Sequence, residues 1–84
     1  MEKEKILVVD DDKDIVQTTK IQLEKEGYEV LCAYDGMEAM DVLTREMVHL
    51  MIIDIMMPKM DGFSAIMKIR EKKNIPIIVM SAKS

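Results

Sequence analysis

The chain has 84 residues, of which 49% are hydrophobic and 33% charged, with a net charge of −4. This fits one small globular domain rather than two, and not a disordered chain. The acidic balance lacks the basic cluster that duplex phosphates require, no apolar run reaches membrane-span length, and Met1-Glu2-Lys3-Glu4-Lys5 does not open a signal peptide.

Residues 5–9 predict a buried strand, being short, β-branched and apolar on both faces. Three carboxylates follow it: Asp10, Asp11 and Asp12. Asp14 is expected to cap a helix with Ile15, Val16, Thr19 and Leu23 on its buried stripe. Gly27 ends that helix in the left-handed C′ position. Residues 28–33 predict a second strand, half-polar and so nearer an edge. Cys32 is the only cysteine, so it forms no internal disulfide, and it reads as a buried structural thiol. A catalytic thiol would want a partner base, and the one histidine, His49, falls at a strand start. A reducing, cytoplasmic setting is expected.

Asp35-Gly36 starts a second helix, with Ala39, Met40, Leu43 and Met47 at helical spacing. Residues 50–54 are continuously apolar before Asp54 and predict a central strand. Pro58 and the Asp61-Gly62 turn delay a third helix with buried stripe Phe63, Ile66 and Ile69. Asn74-Ile75-Pro76 breaks it, and Ile77-Ile78-Val79-Met80 forms a fourth strand ending at Ser81. Of the ten methionines, Met40, Met47, Met51, Met67 and Met80 fall on periodic apolar positions and read as flexible core filler. The alternation β-α-β-α-β-α-β predicts an α/β fold of parallel strands and right-handed crossovers.

Two of these strands deliver acids to one sheet edge, where open α/β sheets bind ligands. Two carboxylates about 4 Å apart repel by roughly 4 kcal/mol at an effective dielectric near 20. That repulsion raises a pKa or recruits a cation. Asp10, Asp11 and Asp54 therefore form a candidate site for Mg²⁺ or Mn²⁺. Asp12 and Asp14 read instead as helix caps or solvated loop acids. Asp54 beside a cation is also a candidate nucleophile toward a phosphoryl group. Ser81 is either a hydrogen-bond donor to that group or a plain helix N-cap or turn serine.

Three segments carry a family resemblance: Ile6-Leu7-Val8-Val9-Asp10-Asp11-Asp12, Asp54-Ile55-Met56-Met57-Pro58-Lys59-Met60-Asp61-Gly62 and Pro76-Ile77-Ile78-Val79-Met80-Ser81-Ala82-Lys83. In order and separation they resemble the receiver domain of two-component response regulators, over the whole chain. The resemblance implies a flavodoxin-like sheet of order 2-1-3-4-5. It implies that Asp54 is the phosphoacceptor for a sensor histidine kinase. Asp11, Asp54 and the Met56 carbonyl would bind Mg²⁺ directly, and Asp10 through water. Ser81 matches the switch hydroxyl, while Met56 and Lys83 match positions that tune how long the phosphate survives.

The family pattern continues through a fourth helix, a fifth strand and a fifth helix, and residues 1–84 are expected to form a partial receiver domain lacking them. The family's strand-five lysine has no counterpart, and Lys83 belongs to the loop after strand four. Weak Mg²⁺ binding is expected, together with self-association through the strand-four edge or by element exchange. The chain would be no enzyme beyond catalysing its own phosphorylation, and no nucleic-acid or membrane partner is expected. Two alternatives remain: an aspartyl-phosphate phosphohydrolase, weakened because Met56 stands where such enzymes place a second acid, and an inert self-associating fragment.

Overall fold

The computed structural model describes residues 3–54, 67, 68, 70 and 74–80. Its elements run β1 (Lys5–Val9), α1 (Lys13–Lys25), β2 (Glu29–Ala33), α2 (Gly36–Arg45), β3 (Leu50–Asp54) and β4 (Ile77–Met80). The strands form one parallel sheet of order β2-β1-β3-β4, a flavodoxin-like arrangement.

Strand composition accounts for strand position. β1 and β3, the most apolar runs, take the two central places and are buried over most of their length. β2 keeps Glu29 exposed and lies at an edge, as its half-polar pattern predicts. β4 is the other outer strand of the described sheet, with Ile78 and Val79 half exposed.

Side-chain alternation divides the core in two. Leu7 and Val9 of β1 join Met51 and Ile53 of β3 on one face, covered by Ala39, Val42 and Leu43 of α2. Ile6 and Val8 take the other face with Val16 of α1, and Leu50, Ile52, Cys32 and Tyr34 pack around them. Full burial of an aliphatic side chain of this size is worth about 1.5–3 kcal/mol. The α2 face is the deeper one, since α2 buries four residues and α1 only Val16.

The helix ends correct part of the sequence reading. Asp12, not Asp14, caps α1: its Oδ1 accepts the N–H groups of Asp14 at 3.0 Å and Ile15 at 3.3 Å. Asp14 sits inside the first turn, where its charge meets the positive end of the helix dipole. Gly27 does follow α1 with φ at +97°, a left-handed conformation that costs glycine little. Asp35 caps α2 through the Glu38 N–H at 2.8 Å, and Glu38 reaches back to accept the Tyr34 N–H at 2.8 Å. Two helix-entry donors are thereby satisfied together.

Two methionines are not core filler. α2 ends at Arg45 and Glu46 is extended, so Met47 falls beyond the helix and is 74% exposed. Met67 is 70% exposed, whereas Met51 is fully buried and Met40 packs partly against the α2-side core. The expected stripe of the third helix, Phe63, Ile66 and Ile69, lies outside the described residues. No described helix is long and apolar enough to cross a membrane.

Candidate functional site

β1 and β3 pair in step, Val8 opposite Ile52 and Val9 opposite Ile53. One residue further, at the carboxyl edge, Asp10 and Asp54 come opposite one another. Alternation puts both on the α1 side, with Ile6, Val8, Leu50 and Ile52. The next residue of the β1–α1 loop, Asp11, brings a third carboxylate. Oxygens of Asp10, Asp11 and Asp54 lie within 4.8 Å of one another. Asp10 and Asp54 are 1% and 3% exposed, while Asp11 faces solvent.

Asp10 is held from both sides. Its N–H donates to the Ala33 carbonyl at 3.1 Å, extending the β1–β2 pairing, and its Oδ1 accepts the Asp12 N–H at 2.9 Å. Its Oδ2 is buried with no hydrogen-bond partner among the described residues. Such a buried, unsatisfied polar atom costs about 1–3 kcal/mol. Burial, first, raises the Asp10 pKa above the ordinary aspartate value. The Asp12 N–H opposes this, and the charges of Asp54 and Asp11 reinforce it.

A hard divalent cation fits this donor set. The ligands are all oxygens, their charges repel without a counter-ion, and the orphaned Oδ2 is a group such an ion or its water shell satisfies. Asp12 is occupied as the α1 cap and stands outside the cluster, as its reading as a cap anticipates. Met56, expected as a carbonyl ligand, Ser81, expected as the switch hydroxyl, and Lys83 lie outside the described residues.

Lys13 and Tyr34 escaped the sequence reading. The Lys13 ammonium sits 5.7 Å from the centroid of the Tyr34 ring. Only strand register could have signalled the pair, since the two residues lie on different elements. Cys32 is half-buried rather than buried; burial raises its thiol pKa, outweighing nearby Lys20, and so disfavours the thiolate. His49 is engaged with Lys5 at the opposite edge of the sheet.

Comparison with known proteins points the same way. The response regulator receiver domain family matches residues 6–84. Response regulator protein TrrA from Thermotoga maritima, solved in complex with Mg(2+)-BeF, is 39% identical with a TM-score of 0.89, over 96% of this chain and 71% of its own. The receiver domain of Francisella response regulator 1452 is 38% identical with a TM-score of 0.88, over 96% of this chain and 68% of its own. Chemotaxis protein CheY4 of Vibrio cholerae is 32% identical with a TM-score of 0.93, over 99% of this chain and 72% of its own. These matches support a receiver domain and lend no support to the phosphohydrolase or the inert fragment. The chain belongs to the response regulator receiver domain family.

Proposed function

We propose that this chain is a phospho-receiver in two-component signalling, taking a phosphoryl group onto Asp54 from a phosphohistidine of a sensor histidine kinase. The observation that carries this reading is the convergence of three carboxylates within 4.8 Å at the carboxyl edge of a receiver-family sheet.

Asp54 is the nucleophile. Pairing of β3 with β1 and β4 fixes its height at the edge, so its carboxylate needs no large motion to meet a donor. Its oxygen forms the new O–P bond as the N–P bond of the phosphohistidine breaks, and the imidazole nitrogen keeps that electron pair. Asp11, Asp54 and the Met56 carbonyl would hold Mg²⁺ directly, with Asp10 acting through water and the Ser81 hydroxyl donating to a phosphoryl oxygen. Mg²⁺, when bound, offsets the repulsion between these carboxylates and the incoming dianion. The solution of TrrA in complex with Mg(2+)-BeF supports a cation site in this family.

Receiver domains are signalling modules rather than enzymes in the ordinary sense, and the only chemistry proposed for this chain is its own phosphorylation. The setting is cytoplasmic, with neither nucleic acid nor membrane as a partner for a chain of net charge −4. The half-exposed outer strand β4 supports pairing with a second copy.

Incubation with a small-molecule phosphodonor and Mg²⁺, followed by intact mass measurement, tests the reading. One added phosphoryl group is expected on the wild-type chain, and none on Asp54→Asn or after chelation. Sustained donor hydrolysis without an adduct would favour the phosphohydrolase, and neither adduct nor hydrolysis would overturn the proposal.

A further inference from the structure

We infer that Tyr34 is a positioning residue: its ring holds the ammonium of Lys13, two residues past Asp11, away from the acidic cluster's carboxylates, and so sets how tightly the site takes a divalent cation. The inference rests on the cation reading of Asp10, Asp11 and Asp54.

The sheet register places Tyr34. β2 pairs with β1 from Lys5↔Glu29 to Val9↔Ala33. One step beyond, Tyr34 comes level with Asp10, and alternation puts it on the face of Cys32, the α1 side. Across the carboxyl edge therefore run Tyr34, Asp10 and Asp54, on adjacent strands about 4.8 Å apart. By register, Tyr34 is thus the neighbour on the β2 side of the acid that carries the orphaned oxygen.

The ring is a fixed platform and the lysine is not. Tyr34 is half-buried, its N–H donates to Glu38 at 2.8 Å, and its side chain packs on the α1-side core. Lys13 is exposed and is the first residue of α1, two positions after Asp11. Its flexible four-carbon stem could carry the charge either way. Among the described residues it forms no ion pair, and its ammonium lies over the ring at 5.7 Å, within cation–π range.

A flexible lysine two residues past Asp11 has three crowded carboxylates as the alternative partner, where its ammonium would compete with a metal ion for the same oxygens. The ring offers an alternative of similar strength. Cation–π attraction at exposed sites is worth about a few-fold in an equilibrium constant, and so is an exposed ion pair. The balance is therefore a tuning device, and removing the ring tips it toward the carboxylates.

Calorimetric titration with MgCl₂ at low ionic strength tests this on the wild-type chain, Tyr34→Leu, Tyr34→Phe, Lys13→Gln and the Tyr34→Leu/Lys13→Gln double variant. Expected are Mg²⁺ binding weaker by about 2–5-fold in Tyr34→Leu, near wild type in Tyr34→Phe, which keeps the π face, and at least as tight as wild type in Lys13→Gln. The double variant should match Lys13→Gln. Unchanged affinity in Tyr34→Leu overturns the inference, as does an equal loss with and without Lys13, which would mark structural damage. No Mg²⁺ binding by the wild-type chain overturns the site reading and this inference together, whereas binding with either of the other results overturns the inference alone. An NMR measurement on the wild-type chain stands apart from any variant's folding: the Lys13 ε-methylene protons should be shifted upfield by the Tyr34 ring current, and a random-coil position overturns the inference.

Discussion

His49 grips Lys5 by both of its backbone groups: the His49 N–H donates to the Lys5 carbonyl, and the His49 Nδ1 accepts the Lys5 N–H, each at 2.9 Å. The clasp ties β1 to the segment entering β3 at the amino edge of the sheet. A Lys5–Glu46 ion pair at 3.1 Å lies beside it. Substituting His49→Ala removes the ring acceptor and leaves the backbone bond. A loss of about 0.5–1.5 kcal/mol is expected in urea unfolding, at the low end because the residue is exposed. His49→Asn, which keeps a side-chain acceptor, should recover part of it.

Asp10 makes the metal-free chain pH-sensitive in an unusual direction. Its pKa is raised in the folded state, so folding favours the protonated form. This contribution is fully present below the unfolded pKa and is lost as pH rises through the folded one. Asp10→Asn removes the ionisation. In EDTA the variant should melt above wild type at neutral pH, by about 1–3 kcal/mol of stability, and the two should converge in acid. Added Mg²⁺ should raise the melting temperature of wild type and do so less for the variant. A variant no more stable than wild type at pH 7 would contradict the burial argument.

The cap of α1 separates structure from function within one acidic run. Asp12→Ala should cost about 0.5–2 kcal/mol, since two helix N–H groups lose their acceptor. Asp14→Ala should cost about 0.3–1 kcal/mol, a dipole effect only. Neither change should alter Mg²⁺ affinity by more than about twofold, while Asp11→Asn should weaken it about tenfold or more.

β4 offers backbone groups and two half-exposed aliphatic side chains along one outer strand. Sedimentation velocity across a concentration series is expected to show self-association. Ile78→Lys should reduce it, because a charge on an outer strand opposes pairing. A monomer at all concentrations in wild type would remove the strand-pairing reading.

The sheet and its acidic site were legible because both rest on short-range signals. Apolar runs mark β1, β3 and β4, and acids directly after two of those runs put Asp10 and Asp54 at one edge. The α1 cap was narrowed only to Asp12 or Asp14, both good caps, because only backbone geometry decides which oxygen faces the free N–H groups. Met47 was misjudged because helical spacing ceases to apply once Glu46 turns extended. Lys13 and Tyr34 were invisible, since their contact depends on a helix start meeting a strand end through the β1–β2 register.

The insertion of β1 between β2 and β3 also has a consequence in time. Each helix, and the β1–α1–β2 unit, closes over a short stretch of chain. The β1–β3 pairing must instead join segments some 44 residues apart, the separation of Lys5 and His49. Loop closure makes such contacts slow relative to helix formation. Asp10 and Asp54 do not meet until that step is complete. The acidic cluster is thus expected to form late in folding, so that binding of a divalent cation that needs both carboxylates would report on topology, not on helix content. In a refolding experiment, the far-ultraviolet helical signal should return before the capacity to bind Mg²⁺.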